Sequence, residues 1–207
     1  MEKIKIFSRF ERFWHWTQMA TVILLTLTGF EIHGNYSLFG FETSVRLHNA
    51  AAITFIILGV ITIFWLIVTG QYKNFIPTRE KFKEQIQYYT SGIFKGASHP
   101  TKKSFGNKLN PLQRVIYLGL LILIFPVQTF TGLLYMYYHY PQNPIDANGL
   151  WFAVITHTFG AFLMVAFVIV HVYMTTTGHR LSTNIKAMIS GYEEEPVEEN
   201  KTENQPA

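Results

Sequence analysis

His157 and His171 stand fourteen residues apart in one apolar stretch, with no charged residue between them. At about 100° and 1.5 Å per residue, fourteen steps return to within about 40° of the same helix face and climb about 21 Å. A single helix would present one imidazole near each of its ends, on one side. Neutral imidazole is a good iron ligand, and two per iron leave no axial position open, so such a centre carries electrons and does not bind oxygen. The spacing predicts that this helix gives one ligand to each of two planar cofactors stacked through a membrane. His15 and His48 are placed to supply the other two.

The elements that must hold these residues are apolar and long. Only 14% of the 207 residues are charged, against about 25% in ordinary soluble domains. Four segments, 13–34, 47–70, 115–138 and 150–178, carry almost no charge; Glu31 in the first is the exception. Each exceeds the ~20 residues that cross a bilayer as a helix. The expected fold is therefore an all-α membrane protein, a four-transmembrane-helix bundle occupying 1–192. Pro126 lies inside the third span, where neighbouring helices can reclaim the freed carbonyl. The first apolar stretch is too long for a cleavable signal and reads as an uncleaved anchor.

Charge distribution orients the bundle. Four Lys and Arg precede the first span, nine lie in the 71–114 connection, three follow the fourth span, and Arg46 alone falls in the remaining loops. This bias puts both termini and the long middle loop on the cytoplasmic side of the membrane. Depth then pairs the histidines. His48 and His157 share an outer layer, and His15 and His171 share an inner one. Two haem b groups follow, with those four residues as axial ligands. His33, His99, His139 and His179 find no partner at a matching depth and read as surface residues.

Weaker signals surround the histidines. Gly29, Gly59, Gly132 and Gly160 lie within spans, where a small residue lets a flat macrocycle or another helix come close. Arg12 and Arg46 are possible propionate contacts, as is Arg180. In the middle loop Phe82, Ile86, Tyr89 and Ile93 recur at helical spacing, which suggests a short amphipathic helix on the membrane surface. The acidic tail, 193–207, reads as disordered. No internal repeat stands out. Cysteine is absent, so thiolate iron–sulfur ligation and thiol chemistry are excluded. The basic residues flank spans, which points to lipid and away from nucleic acid.

Arg12-Phe13-Trp14-His15-Trp16, Arg46-Leu47-His48 and the His157–His171 pair resemble the di-haem cytochrome b subunits of quinone-linked respiratory enzymes. These are the membrane subunits of formate dehydrogenase, thiosulfate reductase and nickel–iron hydrogenase, with bacterial cytochrome b561. Lys108-Leu109-Asn110-Pro111-Leu112-Gln113-Arg114 and Thr131-Gly132-Leu133 are similar to segments of the formate dehydrogenase type. The resemblance implies a menaquinone or ubiquinone beside the inner haem, with Asn110 and Gln113 near its ring. Asn110 before Pro111 is equally an ordinary helix start.

The expected function is electron transfer between the quinone pool and an outer-face iron–sulfur or multihaem subunit. Substrate chemistry would belong to that partner, and this chain has no catalytic residue of its own. A stand-alone cytochrome b561 fits the same histidines. A histidine-using ion transporter or metal-binding membrane protein is the reading from another class.

Overall fold

The computed structural model describes residues 2–97, 100–101, 104–138, 147–177 and 181–195. Four long helices dominate it: α1 (Arg9–Ile32), α2 (Phe41–Thr69), and further along α4 (Pro111–Tyr138) and α5 (Ala147–Thr175). Between α2 and α4 lies the short α3 (Phe82–Gln87), continued by a wider turn at Tyr88–Gly92 and a tighter one at Ile93–Lys95. The chain closes with α6 (Thr183–Ser190) and a strand, β2 (Tyr192–Glu195), which pairs antiparallel with the opening strand β1 (Glu2–Lys5).

Three of the four long helices, α2, α4 and α5, are long and apolar enough to cross a membrane. Helix α1 has 24 residues, but Trp14, His15, Trp16 and Gln18 make its first half more polar. Of the four spans expected from the sequence, three have helices with the length and hydropathy of a span among the described residues, and α1 does not reach that hydropathy. Their starts also differ from the expected bounds. Arg9, Phe41 and Pro111 each begin helix earlier than the apolar pattern does, because caps rather than hydropathy set a helix start. Ser8 and Glu11 form a reciprocal capping box at α1, and Asn110 and Gln113 do so at α4.

The long helices pack as two antiparallel hairpins, α1 with α2 and α4 with α5. Their outer faces are apolar and bare: Phe64 is 67% exposed, Phe130 67%, Phe152 67% and Ile169 66%. Polar side chains are buried instead, with Thr28 and Ser44 fully enclosed. This inverted arrangement suits a protein whose solvent is lipid. Just ahead of Pro126, the turn Leu120–Ile124 widens so that the Phe125 amide donates to the Leu120 carbonyl, five residues back. The widening absorbs the proline without ending α4.

At the rim where the chain begins and ends, the register places Lys3 opposite Glu194 and Lys5 opposite Tyr192. Ile6 is 1% exposed. The amides of Ile6 and Phe7 donate to the Gly191 carbonyl at 2.9 and 3.1 Å. Gly191 has φ 91°, and a Cβ there would meet the Phe7 carbonyl at 2.9 Å, so glycine is required. The expectation of a disordered tail from Glu193 is corrected up to Glu195, since backbone pairing with β1 orders an acidic segment whose composition alone argued against structure. Residues 196–207 lie outside the described residues.

Helix α3 forms where the amphipathic spacing predicted it, with a different inner face. Gln85 is fully buried, with its Oε1 accepting from the Thr101 hydroxyl at 3.2 Å, while Ile86 stays exposed.

Candidate functional site

The two hairpins bring the four histidines together in pairs. His15 of α1 faces His171 of α5 with ring centroids 6.1 Å apart. His48 of α2 faces His157 of α5 at 6.4 Å. Two imidazoles that hold one metal from opposite sides, each at about 2 Å, have ring centres about 6 Å apart. The pairs sit fourteen residues apart along α5, some 21 Å by helix rise, His157 near its middle and His171 near its C-terminal end.

Three of the four rings are anchored through Nδ1. Thr28 Oγ1 lies 2.9 Å from His48 Nδ1, Thr131 Oγ1 3.1 Å from His157 Nδ1, and the Tyr117 hydroxyl 3.0 Å from His171 Nδ1. Such a partner fixes the ring and leaves Nε2 as the ligating nitrogen. His15 Nδ1 is buried with no hydrogen-bond partner. Around the His171 pair, Phe167 stacks on the His171 ring at 5.6 Å and Trp16 meets His15 edge-on at 5.4 Å.

The four glycines divide by role. A Cβ on Gly29 would lie 3.5 Å from His48 Cε1, and one on Gly132 3.0 Å from His157 Cε1. Gly59 instead seats the Phe125 ring, and Gly160 seats the Gln128 amide. The first two glycines therefore let an imidazole lie against a helix backbone, and the second two serve helix packing.

Each pair offers two imidazoles. Among the described residues, no group of three or more His, Cys, Asp or Glu gathers to hold a bare ion. A planar macrocycle, which brings four equatorial nitrogens of its own, suits a pair of opposed imidazoles.

The model of the family described as prokaryotic cytochrome b561 matches residues 6–191 of this chain. The chain belongs to that family. Among curated proteins, cytochrome YdhU of Escherichia coli (strain K12) is 30% identical over 200 residues, covering 92% of this chain and 75% of the relative. The cytochrome b561 family binds haem b and transfers electrons in membranes, and the apolar helices agree with that setting.

The histidine surroundings of this cytochrome b561 fit haem. Beyond the opposed rings, Gln18 Oε1, Gln128 Oε1 and Thr129 Oγ1 are buried without hydrogen-bond partners. Arg12 donates from one terminal nitrogen to the Ile189 carbonyl at 2.5 Å, while its Nε is buried and unpartnered, so one donor remains for an anionic group. Arg46 pairs with Glu42 one turn earlier at 2.6 Å, on an exposed face. Arg180 lies outside the described residues, as do His99, His139 and His179. His33 caps the exposed end of α1.

Asn110 and Gln113 are engaged with each other. Gln113 N donates to Asn110 Oδ1 at 2.9 Å, and Asn110 N to Gln113 Oε1 at 3.1 Å. Asn110 Nδ2 also donates to the Tyr89 hydroxyl at 2.9 Å. Burial pushes the Tyr89 phenol up to about 12, so it stays neutral as a partner. Asn110 still borders a cavity of about 370 Å³ shared with Lys81, Thr101 and Arg114. An apolar crevice of about 230 Å³ lies at the same end of α4, between Leu66, Tyr72, Ile76, Leu118 and Leu121.

Sequence reasoning missed Thr28 and Tyr117, and named Thr131 only as part of a motif without its contact to His157. The signal was available: Thr26-Leu27-Thr28-Gly29 in α1 and Thr129-Phe130-Thr131-Gly132 in α4 share the pattern Thr-x-Thr-Gly. Each lies against the histidine of its own hairpin partner.

Proposed function

We propose that this cytochrome b561 holds two haem b groups, one between His15 and His171 and the other between His48 and His157. The chain then carries electrons across the membrane in two short hops. The observation that carries the proposal is the two pairs of opposed imidazoles, at 6.1 and 6.4 Å, spaced fourteen residues apart along one helix. Haem supplies a one-electron iron couple, and the residues named here orient it and exclude water.

In this reading α1 also spans, because it packs against α2 and contributes His15. Both termini and the 71–114 loop face the cytoplasm, on the strength of the basic residues gathered there. A menaquinone or ubiquinone exchanges at that rim. The apolar crevice beside Leu118 and Leu121 is the proposed place for its tail, and Asn110, which borders the neighbouring cavity, is the proposed contact for its ring. Arg12 is the proposed propionate contact at the same rim; Arg46, already paired with Glu42, has less to offer.

At the opposite rim the connection from α1 to α2 is a short turn, too small to build a substrate site. The reactant there is either a partner subunit with an iron–sulfur or multihaem centre, in an enzyme of the thiosulfate reductase or formate dehydrogenase type, or a small molecule meeting a stand-alone cytochrome. Copurification after mild detergent extraction separates these: a second polypeptide in fixed ratio supports the subunit, and a lone coloured chain supports the stand-alone form.

The test of the haem assignment is a reduced-minus-oxidised spectrum with haem quantification. The expected result is low-spin b-type bands and two haems per chain. His157→Ala and His48→Ala should each lose one haem, and His171→Ala and His15→Ala the other. Variants that all keep two haems overturn the assignment.

A further inference from the structure

Thr28 and Thr131 do more than touch the two imidazoles; their protons are already committed. Each hydroxyl carries a single hydrogen. Thr28 Oγ1 donates to the Leu24 carbonyl at 2.7 Å and Thr131 Oγ1 to the Val127 carbonyl at 2.6 Å, each four residues back in its own helix. What remains on each oxygen facing the ring is a lone pair, at 2.9 Å from His48 Nδ1 and 3.1 Å from His157 Nδ1. Two lone pairs at that distance repel, so the proton between them belongs to the imidazole. Nδ1–H donates, and Nε2 is left bare. The same construction occurs twice on different helices, each time with a glycine next in sequence that lets the ring come close.

We propose that Thr28 and Thr131 are equivalent positioning residues that hold His48 and His157 in the Nδ1–H form, orient Nε2 of each toward one metal, and lower the reduction potential of that centre. The inference rests on the haem reading above. An acceptor on Nδ1–H raises the basicity of the ligating nitrogen and favours the oxidised metal. The His15–His171 pair lacks this matched support: one ring has a phenol partner and the other none. The two centres are therefore built unequal by their surroundings, with the threonine-backed one set apart from the other.

The test uses the full haem-loaded chain, with Thr28→Val, Thr131→Val and the double variant beside Thr28→Ser and Thr131→Ser. Valine keeps the shape and removes the hydroxyl acceptor, leaving the Leu25 and Gln128 carbonyls that also meet these rings; serine keeps the hydroxyl. Redox titration should show one of two potentials rising in the valine variants, by about tenfold in the oxidised-to-reduced ratio for the double variant, or about 59 mV for a one-electron couple. The other potential stays in place, and serine restores the native value. In low-spin spectra one of two ferric signals should move. If the double valine variant drops haem, losing one per chain while the serine variants keep two supports the proposal; losing both overturns it. Unmoved potentials, or equal shifts with serine and valine, also overturn it. The haem assignment is judged separately: histidine variants that each lose one haem keep it standing even where the threonine variants do nothing.

Discussion

The Tyr117 hydroxyl lies 3.0 Å from His171 Nδ1, while across the same pair His15 Nδ1 is buried with no partner. One ring of this pair is anchored by a neighbouring helix, and the other is held by packing alone. Tyr117→Phe removes the anchor and leaves the ring stack with Phe167. The expected outcome is a rise in the potential of the His15–His171 centre only, with haem content near two per chain. Redox titration beside the threonine variants checks it: the two sets should move different potentials.

Gly29 and Gly132 face histidines with unequal room. A methyl group on Gly132 would stand 3.0 Å from the His157 ring, and one on Gly29 3.5 Å from the His48 ring. The first is tighter than ordinary contact, and the second is normal van der Waals distance. Gly132→Ala should displace His157 and reduce haem occupancy at that pair, whereas Gly29→Ala should leave occupancy unchanged. Haem per polypeptide in the purified variants measures both.

Glu31 closes the far rim. One carboxylate oxygen accepts from the amides of Leu38, Phe39 and Gly40 at 2.7, 2.8 and 2.7 Å, and the other from the Ser44 hydroxyl at 2.7 Å. Glu31→Ala strands three amides at once, while Ser44→Ala removes one donor of four. The alanine variant of Glu31 should lower the thermal midpoint clearly more than that of Ser44, and should open the loop between α1 and α2 to protease. Equal effects would mean that the turn holds itself.

Glu11 and Lys108 pair at 2.6 Å with side chains 16% and 6% exposed. Glu11 also completes the α1 capping box by accepting from the Ser8 amide at 2.8 Å. Removing either partner leaves a covered charge, at a cost of about 3 kcal/mol. Lys108→Met and Glu11→Gln should each lower stability by about that amount, and the double change should cost less than their sum. A double-mutant cycle in denaturant gives the coupling.

Asn110→Ala separates cap from quinone. Loss of the cap should cost about 1 kcal/mol, with the Tyr89 hydroxyl losing its donor. If Asn110 also meets the quinone, haem reoxidation by quinone analogues should slow with haem content unchanged. Stopped-flow reoxidation at matched haem content distinguishes the two effects.

Much of this was legible in the order of residue types. The long apolar runs announced α2, α4 and α5, and the fourteen-residue step from His157 to His171 announced a helix presenting both on one side. Depth matching then paired His15 with His171 and His48 with His157, and the rings do meet in those pairs. The hydropathy of α1 was harder to weigh, because the tryptophans, His15 and Gln18 that make it useful also dilute its apolar signal. Helix starts were misjudged for the same reason: Asn110, Ser8 and Gly40 lie outside the apolar runs.

The threonine and tyrosine anchors were out of reach for another reason. A hydroxyl in a membrane helix most often bonds back to its own carbonyl, and Thr28 and Thr131 do that as well. Only the packing of α1 on α2 and of α4 on α5 shows that each has a second role. The glycines were similarly ambiguous, and contact geometry divided them. The ordering of Glu193–Glu195 came from a partner strand at the far end of the chain, a relationship that local composition does not contain.

That partner strand has a bearing on how the molecule is made. Glu2–Lys5 precedes its partner in the chain by nearly the whole bundle and can pair only once Tyr192–Glu195 is present. Ile6 is buried at the same rim, and the Trp16 indole donates to the Met188 carbonyl at 3.3 Å. A chain lacking Tyr192–Glu195 would own every histidine described above and still be left ajar at one end, so this late strand is the latch.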